Sequence, residues 1–291
     1  MNTRAADETS STSAGPQLVC WKVWGGNGQM EAPVAIPGLR GFLYSRPSGS
    51  EQGGDVYYLS ACGSGALARL CVADVTGHGQ SVATFSGWLE EVFSKHIHRA
   101  SPSGVLREVN RRAVERGLEL MSTAVCLSYN SLNGKLAFCS AGHPPVRICR
   151  AGESAWKPLR VEDGAGLCNV PLAVDASATY AISRCQLRPG DRLIVHTDGL
   201  TEAQDANGQL LGEAVWAAGR VPGCDAPLES VLEAIKAAVA EHVPGGAAGD
   251  DITVLVLEAL PYQSSNRYAL FLKNNFPRFA RALLGEGRGG G

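Results

Sequence analysis

Four acidic sites in this sequence sit where a carboxylate is hard to accommodate. Asp55 closes Gly53-Gly54-Asp55. Asp74 ends an apolar run over 66–73 and is followed by Val75-Thr76-Gly77-His78-Gly79. Asp198 follows RLIVHT and precedes Gly199. Asp250 and Asp251 follow the Gly/Ala stretch 245–249 and open the run ITVLVLE. A carboxylate at the end of a buried strand is costly unless something compensates it. Glycine beside it lets the backbone turn sharply and approach a ligand closely. Strand ends gathered at one sheet edge would bring these groups together with no Lys or Arg between them, and a divalent cation would remove their repulsion. All-oxygen donors suit Mg²⁺ or Mn²⁺, whereas zinc would favour Cys or His. Taken singly, an Asp beside Gly reads as an ordinary turn. The coincidence of four is what points to a metal site.

The elements that must position these acids are readable in part. Strands are expected at 66–73, 123–129, 135–140, 192–197 and 252–258, with Asn133-Gly134 as a hairpin signal between the second and third. Gln80–His98 carries Val82, Phe85, Leu89, Val92, Phe93 and Ile97 near helical spacing. A second helix is expected over Pro102–Leu120, with Ser101 as its cap and Pro at its first position, and a third over Leu228–His242. Hairpins and helices mix without strict strand–helix alternation. That predicts antiparallel sheets covered by helices rather than a Rossmann-like parallel sheet.

The 291 residues suffice for a sizeable core. Hydrophobic residues are 45% and charged residues 19%, which excludes wholesale disorder. The 26 basic and 28 acidic residues give a net charge of −2, so no basic excess points to nucleic acid as a partner. No apolar stretch is long enough for a transmembrane helix, and the N-terminus lacks a signal-peptide core. Nine cysteines without a CxxC pair read as reduced thiols of a cytoplasmic protein. Residues 1–16 read as a disordered leader, 17–260 as one domain, and 261–291 as a basic, aromatic segment with a Gly-rich tail. Packing on its own domain is the preferred reading of that last segment, with membrane association through 266–284 as the alternative.

In order and wording, five segments resemble the bacterial PP2C-like (SpoIIE/RsbU-type) phosphatases of the metal-dependent PPM superfamily. They are IPGLRGFLYSRPSGSEQGGDVYY (36–58), LCVADVTGHG (70–79), STAVCLSYNSLNGKLAFCSAGHPPV (122–146), LRPGDRLIVHTDGLTEAQDANGQLLG (187–212) and GDDITVLVL (249–257). The resemblance implies an α+β fold, the PP2C-like α-β-β-α sandwich of two stacked antiparallel sheets flanked by helices. It implies two divalent cations, Mn²⁺ or Mg²⁺. By the same resemblance Asp74 bridges them, the Val75 carbonyl ligates one, and Asp55, Asp198 and Asp250 complete the set, with Asp251 as the backup to Asp250. The implied activity is a Ser/Thr protein phosphatase that uses a cation-activated water for in-line attack on phosphorus. The implied substrate is a phosphorylated regulatory protein such as an anti-sigma-factor antagonist. With only a short leader ahead of the core, the chain reads as a stand-alone phosphatase. The alternative function is a catalytically weak or inactive pseudophosphatase that binds phosphoproteins or a kinase.

The histidines divide. His78 is a candidate general acid, because imidazole titrates near neutrality. Its spacing from Asp74 differs from the Asp-Gly-His of eukaryotic relatives, so the resemblance does not carry that role. His143 in AlaGlyHisProPro reads as a turn residue, His196 as a satisfied core residue, and His96 and His98 as polar positions late in a helix. Three positions depart from the family's usual wording: Tyr58 stands where a second acid is common, Ser140 where Asn is, and Ala173 where Gly is. Tyr58 is expected to weaken the surroundings of a metal.

Overall fold

The computed structural model describes residues 20–49, 51–62, 64–77, 80–98, 101–117, 121–243 and 249–262. The expected leader, His78, and the 266–284 segment with its tail lie outside them. Twelve strands are described: β1 (Cys20–Gly28), β2 (Met30–Ile36), β3 (Leu39–Arg46), β4 (Gln52–Cys62), β5 (Leu67–Val75), β6 (Ser122–Asn130), β7 (Lys135–Ala141), β8 (Arg147–Cys149), β9 (Lys157–Pro158), β10 (Ser183–Gln186), β11 (Arg192–His196) and β12 (Ile252–Ala259). They form two six-stranded sheets, in the orders β1-β4-β5-β6-β7-β10 and β2-β3-β12-β11-β8-β9. Every named pairing is antiparallel. Three helices are described: α1 (Gln80–His96), α2 (Pro102–Glu115) and α3 (Leu228–His242).

Alternation along the strands divides the interior into three layers. Tyr57 and Leu59 of β4, Leu70 and Val72 of β5, Val195 of β11 and Leu255 and Leu257 of β12 meet between the sheets. The other face of the first sheet buries Val56, Tyr58, Cys71 and Ala73 under α1 and α2. The other face of the second buries Ile194, Val254 and Val256 under α3. This is the α-β-β-α sandwich. Each large apolar side chain so buried contributes roughly 1.5–3 kcal/mol.

Several local expectations meet their physical cause. The β6–β7 hairpin turns through Gly134 at φ +70°. Ser101 caps α2, its Oγ accepting from the Gly104 amide at 3.1 Å. Other boundaries move. Strand β5 runs past position 73 and contains Asp74 and Val75, because both still pair with β6. Gly53-Gly54-Asp55 lies inside β4 rather than in a turn. Helix α1 stops at His96, and α2 stops at Glu115, where the left-handed Gly117 (φ +64°) bonds back to Val114.

Candidate functional site

The site forms where the inward faces of the two sheets run out of apolar residues. On β4 the alternation that sends Leu59 and Tyr57 inward brings Asp55 to the same face. On β5 the series Ala68, Leu70, Val72 leads to Asp74. Val56 pairs with Ala73, so one further antiparallel step sets Asp55 beside Asp74. In the second sheet Val195 pairs with Leu255, which sets Thr197 beside Thr253. The Thr197 amide continues the ladder, donating to the Thr253 carbonyl at 3.0 Å. Asp198 follows and opens a single 3-10 turn, Asp198–Leu200. Asp250 and Asp251 immediately precede β12.

Glycines permit this closeness. A Cβ on Gly199 would lie 2.0 Å from the Asp251 carbonyl oxygen. One on Gly54 would lie 2.8 Å from the Val75 carbonyl oxygen, so only glycine fits against it. One on Gly53 would lie 2.3 Å from Asp251 Oδ2.

The acids differ in their commitments. Asp251 Oδ1 accepts from the Ser48 amide at 2.6 Å, and its Oδ2 accepts a short bond from the Gly54 amide. Asp251 therefore holds the backbone that leads into Asp55. Asp250 is exposed, and its Oδ1 accepts from the Asp251 amide at 2.8 Å. Asp55 is buried; its Oδ2 accepts from the Thr197 hydroxyl at 2.7 Å, and its Oδ1 has no hydrogen-bond partner among the described residues. Ser122 Oγ donates to the Asp74 carbonyl oxygen at 2.7 Å, which fixes the strand beneath that carboxylate.

Uncompensated negative charge is the electrostatic signature. Burial, then the charge of Asp198, pushes the Asp74 carboxyl up to about 8, with Asp250, Asp251 and Glu202 adding to it. Burial and then Asp74 hold Asp55 well above the ordinary carboxylate range, against the pull of the Thr197 and Thr253 hydroxyls. Burial raises Asp198 as well, followed by Glu202 and Asp250. It also raises Asp250, with the Asp251 amide opposing and the Asp251 charge assisting. Among the described residues no three His, Cys, Asp or Glu side chains already close into an ion cage. The donor set nevertheless suits a hard cation: it is all oxygen, it holds a buried partnerless carboxylate oxygen, and its charges raise one another's pKa.

Two of the described histidines, His143 and His196, are buried. The His143 Nδ1 lies 3.1 Å from the Pro144 carbonyl oxygen, and burial pushes the ring down to about 3. Ser140 holds that turn, its Oγ accepting from the His143 amide at 3.1 Å and donating to the His143 carbonyl at 3.2 Å. His196 is buried beside Trp216, with Nδ1 2.9 Å from the Thr197 carbonyl, and burial pushes it down to about 4. Its Nε2 has no partner among the described residues, so it is only half satisfied. Tyr58 lies in the apolar cluster under α1 and α2, on the face of β4 opposite the one that carries Asp55. Ala173, where the family favours Gly, adopts φ +67°.

Sequence reasoning missed Thr197, Thr253 and Glu202. The available signals were their places: one residue before Asp198, two after Asp251, and four after Asp198, one helical turn on.

The family described as Stage II sporulation protein E (SpoIIE) matches residues 64–260, more than half of the chain. That span includes Asp74, Val75, Asp198 and Asp250 but not Asp55. Protein IcfG of Synechocystis sp. is 23% identical over 257 residues, 77% of this chain and 39% of IcfG. The chain thus spans about two fifths of that curated relative. Among solved structures, the RsbU and RsbW domains of Rv1364c from Mycobacterium tuberculosis superpose with a TM-score of 0.63 at 20% identity, covering 89% of this chain and 70% of that one. The PP2C phosphatase domain of SpoIIE with a regulatory fragment, from Bacillus subtilis, gives 0.58 at 18% identity, covering 82% and 64%. RsbX in complex with magnesium gives 0.57 at 16% identity, covering 79% and 100%.

Proposed function

The chain belongs to the SpoIIE family, and on that premise we propose that it is a metal-dependent phosphoserine/phosphothreonine protein phosphatase. The observation that carries this reading is the convergence of Asp55, Asp74, Asp198 and Asp250, whose carboxyls burial and neighbouring carboxylates push up together. Asp74, the Val75 carbonyl, Asp55, Asp198 and Asp250 are the groups that would hold two divalent cations. Asp251 is spent on the backbone of Ser48 and Gly54. When bound, Mn²⁺ or Mg²⁺ supplies the positive charge that a phosphoryl group needs and the Lewis acidity that lowers the pKa of a water. RsbX, a structural relative, was solved with magnesium.

The chain's own residues then do three things. The carboxylates fix where positive charge can reside. Gly54 lets its strand approach the Val75 carbonyl oxygen without a Cβ pressing on it. Asp251 and Ser122 hold the two strand segments that carry Asp55 and Asp74. The uncovered acidic edge repels a phosphomonoester dianion, so substrate binding depends on the cations as much as turnover does. The proposed substrate is a regulatory phosphoprotein, an anti-sigma-factor antagonist by family resemblance.

The test is hydrolysis of p-nitrophenyl phosphate with Mn²⁺, with Mg²⁺ and with EDTA, alongside Asp74→Ala, followed by a phosphoserine peptide. Metal-dependent turnover that vanishes in Asp74→Ala supports the reading. A folded protein that turns over neither substrate with either metal refutes it and favours a phosphoprotein-binding module.

A further inference from the structure

Behind Asp55 lies a row of three buried hydroxyls from the other sheet. Ser45 of β3 pairs with Thr253 of β12, and Thr253 neighbours Thr197 at the end of β11. Their exposures are 2%, 0% and 0%, so water does not compete for them. The Thr197 Oγ1 accepts from the Thr253 amide at 2.9 Å. Its one proton is therefore free to go to Asp55 Oδ2, 2.7 Å away. The Thr253 hydroxyl faces the same carboxylate and lies 3.0 Å from Ser45 Oγ. Ser45 can donate to Thr253 while Thr253 donates onward. With Ser45 as the donor of its pair, the three hydroxyls all point one way, toward the carboxylate that accepts from Thr197. Asp55 Oδ2 is thus occupied, and Oδ1 is left over, buried and without a hydrogen-bond partner among the described residues.

We propose that Thr197, backed by Thr253 and Ser45, is a positioning device: it ties Asp55 across the sandwich through Oδ2 and thereby presents Oδ1 as a one-oxygen ligand. This rests on the reading of the acidic edge as a cation site. Asp55 sits on one sheet and its tether on the other, so the ligand's placement is set by how the sheets stack rather than by its own strand. Hydrogen-bonded partners behind a ligand commonly change metal affinity by roughly 10–100-fold when removed. The structure distinguishes Thr197 from an ordinary core threonine by that one contact, so the conservative replacement should keep the function and the isostere should lose it.

The experiment is Mn²⁺ titration calorimetry on the full chain, comparing wild type, Thr197→Val, Thr197→Ser and Thr253→Val, with thermal melts in EDTA to check folding. Thr197→Val should bind Mn²⁺ roughly 10–100-fold more weakly, Thr197→Ser should stay within a few-fold of wild type, and Thr253→Val should fall between. With p-nitrophenyl phosphate, the Thr197→Val deficit should shrink as Mn²⁺ is raised, with KM for the ester little changed at saturating metal. Equal Mn²⁺ affinity in wild type and a folded Thr197→Val overturns this inference alone. A folded wild type that takes up no Mn²⁺ overturns the cation reading and this inference with it. Should Thr197→Val fail to fold, because the Thr253 amide loses its acceptor, Thr253→Val decides: a several-fold loss that Thr253→Ser rescues supports the proposal, and unchanged affinity overturns it.

Discussion

Replacing the acid at position 74 by an amide should make the metal-free protein more stable while destroying its proposed activity. The Asp74 carboxyl is pushed from 3.8 up to about 8, and the residue is only 8% exposed. Between its unfolded value and pH 7 lie about three pH units, each worth about 1.36 kcal/mol. The folded chain must therefore keep this carboxyl protonated at pH 7 where the unfolded chain ionises it, a cost with a ceiling of about 4 kcal/mol, and relaxation of neighbouring charges and solvent brings the expected value to about 2–4 kcal/mol. Asp74→Asn removes that cost in a side chain of nearly the same shape, and the bond from Ser122 to the backbone carbonyl survives. In EDTA its melting temperature at pH 7 should rise by roughly 5–10 °C. A raised carboxyl destabilises the fold only above its unfolded pKa, so the gain should be absent below about pH 4, grow through neutrality and level off above about pH 8. In excess Mn²⁺ the order should reverse, because only the wild type gains stability from bound metal. Differential scanning calorimetry across that pH range, with and without metal, makes the comparison. Equal melting temperatures in EDTA from acid to alkaline pH would show that the acidic edge stores no repulsion.

Asp250→Asn and Asp251→Asn should separate cleanly: the first weakens Mn²⁺ binding in calorimetry with little change in the EDTA melt, while the second lowers the melt because two backbone amides lose a carboxylate acceptor. Gly199→Ala forces a Cβ to 2.0 Å from the Asp251 carbonyl and should cost about 1–3 kcal/mol in urea unfolding. His196 is held neutral by burial with its pKa near 4, so its contribution is present above its unfolded pKa and lost as pH falls. From about pH 7 to 5 wild type should lose about 2 kcal/mol more than His196→Gln, and parallel pH profiles would refute this. Ala173→Gly relieves a left-handed alanine and should raise stability by up to about 1 kcal/mol, read as a shift in the urea midpoint.

What was legible in the sequence and what was not have separate physical causes. The β6–β7 hairpin and α3 could be read because Asn-Gly turns and amphipathic spacing are local signals. Strand β4 could not: both its faces are buried, so QGGDVYYLSAC shows no polar alternation, and its two glycines suggest a turn. The acids stood out because glycine and apolar runs frame them. Thr197, Thr253 and Ser45 did not, because hydroxyl residues are common and only the register of β3, β12 and β11 aligns these three. Asp251 looked interchangeable with Asp250 in the sequence; what separates them is which backbone amides each one meets. His196 looked like an ordinary core position, and its unpaired Nε2 is visible only in three dimensions.

The place of β12 has a consequence for the order in which the protein comes into being. It is the last described strand, yet it is inserted between β3 and β11, near the middle of its sheet. Asp251, just before its start, and Thr253, just inside it, meet partners made some 200 positions earlier on the ribosome, with sequence separations of 203 for Ser48–Asp251 and 208 for Ser45–Thr253. Until it emerges, β3 and β11 have nothing between them, and each offers a bare edge to other chains. Contacts of such long range slow folding, because loop closure must precede any reward. A nascent chain stopped ahead of residue 250 should accordingly be an aggregation-prone intermediate that holdase chaperones capture, and the proposed cation site should be completed in one step with β12.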